Sequence, residues 1–135
     1  MSGYSHRSLG DKLGIKSGMK VLIEQPPDSY DQQLGPIPDD VQFVNEIEDG
    51  AFDFIQSFER SQEELAGHFD ELVAAMKKDG MLWVSWPKLS SAFAGNLNES
   101  FIRELAISRG LVDVKVCAVD EDWSGLKLVW RRENR

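Results

Sequence analysis

The chain has a single cysteine, two histidines and no long apolar run, and each shortage removes a class of chemistry. One thiol, Cys117, cannot form a disulfide within the chain, which fits a reducing cytoplasmic setting. Neither His6 nor His68 has a His or Cys at the spacing of a helical metal pair, so both read as structural or surface residues. No stretch approaches the roughly 20 apolar residues that span a bilayer. Met1–Arg7 lacks the apolar centre of a secretory signal, so neither export nor membrane attachment is expected. Ser85, Ser90 and Ser91 lack the Gly-x-Ser-x-Gly surroundings of a hydrolase nucleophile.

Glycine is missing where it would matter most. Lys20–Glu24 reads as a buried parallel strand, and the next residues, Gln25-Pro26-Pro27-Asp28-Ser29-Tyr30, contain none. In nucleotide-binding α/β folds this turn is glycine-rich, so that backbone N–H groups can approach a phosphate or cofactor. Two prolines offer no N–H and fix φ. The usual cradle is excluded.

What is present is an ordinary globular composition, with 41% hydrophobic and 28% charged residues in 135. The length fits one α/β domain over residues 1–135. The net charge of −8 is concentrated centrally: residues 21–80 carry 15 acidic and three basic side chains. Such a centre repels phosphate backbones, so nucleic acid is not an expected partner. Arg131, Arg132 and Arg135 form a small basic end that reads as a solubilising tail.

Hydrophobic periodicity supplies the elements. Residues 8–16 suggest a short amphipathic helix through Leu9, Leu13 and Ile15. Four of the five prolines lie in 26–40, leaving room for only one or two helical turns near 28–34. Residues 41–47 and 52–58 read as strands. The four residues between them are too few for a crossover joining neighbouring parallel strands. Ser61 and Glu64 form a capping box for a helix carrying Leu65, Phe69, Leu72, Val73 and Met76. Its outer acids, Glu63, Asp70 and Glu71, read as a solvated face; Lys77, Lys78 and Gly80 suit its C-terminal end. Residues 81–86 follow as a strand buried on both faces.

Asn98 caps a second helix bearing Phe101, Ile102, Leu105 and Ala106, which stops at Gly110. Residues 111–119 alternate, with Val112, Val114, Val116 and Ala118 on one face and Cys117 buried and inert. A loop at 120–124 then leads to a strand carrying Leu126, Leu128 and Trp130. The fold expected is a mostly parallel sheet flanked by helices, closed by a hairpin that adds an antiparallel strand at one edge.

That order resembles the second half of S-adenosylmethionine-dependent methyltransferases. More specifically, the chain resembles a bacterial family known only as a domain of unknown function. The matching residues are Tyr4-Ser5, Leu13-Gly14-Ile15-Lys16, Trp86-Pro87-Lys88, Val116-Cys117-Ala118-Val119-Asp120 and Trp123-Ser124-Gly125-Leu126. The resemblance implies a truncated methyltransferase-like Rossmann fold and no established activity. Methyltransferases carry a glycine-rich turn after the first strand and an acid after the second. Here the turn is Gln25-Pro26-Pro27, and only Glu46 or Glu48 could stand for the acid. No cofactor is implied.

Ligands of open α/β sheets bind beyond the carboxyl ends of the strands, where residues 25–30, 86–90 and, depending on strand direction, part of 120–124 should meet. Candidate ligand-binding residues are therefore Trp86, Lys88, Asp120 and Trp123. Trp86 offers a stacking face and Lys88 a cation; the plain alternative is a core tryptophan, a strand-ending Pro87 and a solvated lysine. Asp120, Glu121 and Asp122 could serve as acid/base groups or hold a cation, or could form a solvated turn over Trp123. Two functions follow. One is a non-catalytic binding or interaction module, with a small ligand or a homodimer along a sheet edge as partner. The other is a small-molecule enzyme or sensor, including a divergent methyltransferase, using the strand-end crevice.

Overall fold

A computed structural model describes residues 8–135; Tyr4, Ser5 and His6 lie outside the described residues. The elements are α1 (Leu9–Leu13), β1 (Lys20–Glu24), α2 (Tyr30–Leu34), β2 (Gln42–Phe43), β3 (Phe52–Phe58) and α3 (Gln62–Ala75). They continue as β4 (Met76–Pro87), α4 (Glu99–Ser108), β5 (Leu111–Ala118) and β6 (Trp123–Trp130). A single 3-10 turn at Arg132–Asn134 follows.

Local chemistry sets the helix ends. The Ser61 hydroxyl accepts from Glu64 N at 3.0 Å, and Glu64 Oε1 accepts from Arg60 N, one residue before the cap. The Asn98 side chain accepts from Phe101 N at 2.9 Å. The Ser61 and Asn98 bonds satisfy N–H groups that a helix leaves open at its start. Gly110 ends the α4 region at φ 86, backbone that residues with a Cβ adopt only with strain.

The six strands form one sheet in the order β2-β1-β3-β4-β6-β5. The first four are parallel; β6 is antiparallel to both of its neighbours, so β5 runs with β4. On one face α3 and α4 bring Leu65, Phe69, Leu72, Ile102 and Ala106 onto Leu22, Ile55, Leu82, Val84, Leu126 and Leu128. On the other, Leu13, Ile15, Tyr30 and Leu34 from the α1–α2 side cover Val21, Phe54, Phe58 and Trp83. Each fully buried valine, leucine, isoleucine or phenylalanine among them contributes about 1.5–3 kcal/mol of transfer free energy. The mixed α/β sheet with helices on both faces matches the expected methyltransferase-like architecture.

Four details depart from the sequence-based expectation. The strand expected at 41–47 is only Gln42–Phe43, and it pairs with the start of β1, at the outer edge. This resolves the short connection: β2 and β3 are not neighbours, because β1 lies between them. Residues 50 and 51 are then tied to the end of α3 through Ala74 O and Ala75 O.

Second, α3 stops at Ala75, and Met76 is already extended at ψ 137. Lys77, Lys78 and Gly80 therefore lie in β4, where the pairing with β3 jumps from Phe52↔Met76 to Phe54↔Met81. Gly80 is needed for close approach and not as a helix end: a Cβ there would sit 2.7 Å from Phe52 O.

Third, the antiparallel strand is not at an edge, because β6 is inserted between β4 and β5.

Fourth, the valine alternation of β5 does not face one side. Pairing with β6 shifts between Asp113 and Lys115, leaving Val114 as the extra residue of a bulge. Side chains before and after it fall on opposite faces. Val114 and Val116 are 52% and 50% exposed.

Candidate functional site

The turn after β1 is built from the residues that exclude a glycine cradle. Gln25 has φ 55, left-handed backbone that is unfavourable for a side chain with a Cβ, and its Nε2 donates to Phe58 O at 3.4 Å. Pro26 and Pro27 follow, and Pro27 O accepts from Tyr30 N at the start of α2. Strain of this kind at a strand end is a common attribute of functional turns.

Three segments meet at this end of the sheet. Lys88 N donates to Asp122 O at 2.7 Å, tying the end of β4 to the β5–β6 loop. Across from that loop stands the β1–α2 turn, and between them opens a crevice of about 380 Å³. Its walls include Pro27, Asp28, Gln33, Phe93, Asp122 and Trp123, with Ser29, Asp120 and Glu121 completing the lining. The Asp120 carboxylate shapes the loop from inside: its Oδ1 accepts from Asp122 N and Trp123 N, both at 2.8 Å. Trp123 is 2% exposed and meets Phe58 edge-on at 5.1 Å, and Phe58 meets Tyr30 in the same way at 4.9 Å.

Of the four residues proposed from sequence, Asp120 and Trp123 line this crevice. Trp86 does not. It pairs with Ser124 while Trp123 pairs with Pro87, so the two indoles point to opposite faces; Trp86 packs in the α3–α4 core. Lys88 is partly buried and contributes its backbone N–H to the loop. Glu48 pairs with Lys20 at 3.2 Å, at the opposite end of β1 from the crevice. Glu46 is exposed.

Sequence reasoning missed two features. The first is an aromatic pair. Arg60 Cζ lies 5.3 Å from the ring centroids of both Phe93 and Trp123. Nothing in the local pattern links Phe93, in the long connection before α4, to the end of β3. The second is a band of buried polar residues at the ends of β3 and β4. Gln56, Ser57, Glu59 and Ser85 are fully buried. On the α2 side the Tyr30 hydroxyl donates to Gln56 Oε1, and Gln56 Nε2 donates to Ser85 Oγ at 3.0 Å.

On the α3 side, Ser57 Oγ donates to Glu59 Oε2, which also meets His68 Nε2 at 2.5 Å. Burial pushes the Glu59 carboxyl above its usual range, while Ser57 and His68 pull it back. Burial likewise pushes the Tyr30 phenol up. A signal for this band did exist: Gln56-Ser57 interrupts an otherwise apolar strand, and buried polar groups require partners.

His68 also borders a second cavity of about 240 Å³, walled by Glu24, Gln25, Glu64 and Glu71. Among the described residues no group of three or more His, Cys, Asp or Glu is placed to hold a metal ion. No helix of the described residues is long and apolar enough to cross a membrane.

The chain belongs to the family described as "Protein of unknown function (DUF3052)", which it matches over residues 10–132. No curated protein is significantly similar to it in sequence. Its fold is similar to that of a SAM-dependent methyltransferase from Aquifex aeolicus, at 15% identity and TM-score 0.60, over 87% of this chain and 85% of that one. It is also similar to magnesium protoporphyrin IX methyltransferase from Synechocystis PCC 6803 with bound SAM, at 11% identity and TM-score 0.59, over 91% and 74%. A third is the 1,6-didemethyltoxoflavin-N1-methyltransferase of Burkholderia thailandensis, at 12% identity and TM-score 0.58, over 90% and 76%. At these identities the likeness is one of fold.

Proposed function

We propose that this protein is a non-catalytic binding module on a methyltransferase-like fold. Its working surface is the crevice between the β1–α2 turn, Phe93 and the β5–β6 loop. The observation that carries the reading is the turn itself. Where relatives in fold with bound SAM or S-adenosylhomocysteine must accommodate a cofactor, this chain has Gln25-Pro26-Pro27, without two backbone donors. The carboxylates Asp28, Glu121 and Asp122 stand beside it. The remaining space is walled by two aromatic rings and loop residues, and the Asp120 carboxylate is already engaged by the backbone N–H groups of Asp122 and Trp123.

Calorimetry with S-adenosylmethionine is the direct test. No heat is expected at ligand concentrations up to the millimolar range, whereas saturable binding would return the chain to the divergent-methyltransferase reading. A thermal-shift panel of metabolites tests the positive part. A ligand present at 100 times its Kd stabilises the fold by about 2.7 kcal/mol, and Phe93→Ala should abolish that shift.

A further inference from the structure

Phe93 and Trp123 already hold a cation, and it comes from the chain itself. Arg60 Cζ stands 5.3 Å from each ring centroid, within the range of cation–π attraction. Arg60 is exposed, and no carboxylate among the described residues pairs with it within salt-bridge distance. Both rings line the crevice that also carries Asp28, Asp120, Glu121 and Asp122. The positive group set against these rings is Arg60.

An independent feature lies on the opposite wall. Gln33 Oε1 is buried and has no hydrogen-bond partner among the described residues, although Gln33 Nε2 donates to Ser29 Oγ at 3.0 Å. A buried acceptor without a donor destabilises the structure that holds it. Gln33 and Ser29 both line the crevice. A ligand entering here is rewarded for three attributes: positive charge, a flat delocalised surface and N–H donors. A guanidinium group has all three, whereas an ammonium lacks the plane and a phosphate is repelled.

We propose that the crevice is a binding site for a guanidinium-bearing organic cation, either a free metabolite or an arginine side chain of a peptide. Arg60 is its internal competitor. The incoming group displaces Arg60 from between Phe93 and Trp123, donates to Gln33 Oε1 and faces the carboxylates of Asp28, Glu121 and Asp122. This inference rests on the binding-module reading above and assigns the ligand class.

The test follows the Trp123 indole N–H resonance of the full ¹⁵N-labelled chain during titration with agmatine. Acetyl-Gly-Arg-Gly-amide serves as the peptide arm and the neutral N-acetyl-leucine amide as control. A saturable shift is expected with agmatine or the arginine peptide and none with the control; the tighter of the two probes identifies the source. Asp28→Asn combined with Glu121→Gln removes two exposed charges and should weaken binding about fivefold. Arg60→Ala should tighten it several-fold, because the competitor is gone. An unmoved Trp123 signal in both wild type and Arg60→Ala overturns the proposal, as does equal binding of the neutral control or unchanged affinity in Arg60→Ala. If the cations fail while a metabolite still gives the Phe93-dependent thermal shift, the crevice survives and the guanidinium assignment falls.

Discussion

His68 Nε2 lies 2.5 Å from Glu59 Oε2, and this pair joins the end of β3 to the middle of α3. The carboxylate is fully buried; the imidazole is about a quarter exposed, at 26%. Burial lifts Glu59 above the ordinary 4.5, Glu64 adds to the lift, and Ser57 and His68 oppose it. A group whose folded pKa is raised gives stability that is complete below its unfolded pKa and lost as pH rises through the folded value. Each unit of elevation corresponds to about 1.4 kcal/mol.

The neutral isostere Glu59→Gln removes this titration. Relative to wild type, the variant should gain stability as pH rises from 4.5 towards the folded value. Urea unfolding at several pH values measures the difference. Parallel stability curves for the two proteins would contradict it.

Tyr30→Phe takes the phenol donor from the buried Gln56 Oε1. The shape of the core is kept, so the cost is that of an acceptor left dry, about 1–3 kcal/mol. A shift in the denaturation midpoint with an unchanged m-value is the expected result.

Trp83 anchors the first helix. Its indole N–H donates to Leu13 O at 2.8 Å, across 70 positions of sequence. Trp83→Phe should cost roughly 1–3 kcal/mol and loosen α1 before the sheet. Hydrogen exchange should therefore quicken at the amides of Gly14 and Ile15, which bond back to Gly10 O, while those of β3 stay protected.

At Gly80 a methyl group has nowhere to go. It would lie 2.7 Å from Phe52 O, 3.1 Å from Lys77 O and 3.2 Å from Asp53 O, all backbone atoms. Gly80→Ala should destabilise by about 1–3 kcal/mol, and a neutral effect on thermal unfolding would show that the β3–β4 irregularity yields easily.

The parts legible in the sequence were those written in local chemistry. The apolar face of α3, from Leu65 to Val73, is buried as its spacing requires, and Ser61 and Asn98 cap as their positions suggest. The meeting of the β1 turn with the 120–124 loop was legible only conditionally, because it required β5 to run with β4, a direction set by the pairing of both strands with β6. Less legible was the hairpin: strands 111–118 and 123–130 have the same alternation whichever of them lies inside, and only packing against β4 places β6 there. The bulge at Val114 defeats a face assignment made by counting in twos. Trp86 and Trp123 look equivalent in sequence, yet one residue of register sends them to opposite faces.

The sequence by itself determined the helix-flanked sheet and the loss of amide donors after β1, because periodicity, capping and proline act within a few residues of chain. Tertiary structure decided which strand sits inside, which tryptophan reaches the crevice, and that Arg60 rests between Phe93 and Trp123. Those outcomes depend on long-range contacts between residues tens of positions apart, and such contacts leave no local pattern to read.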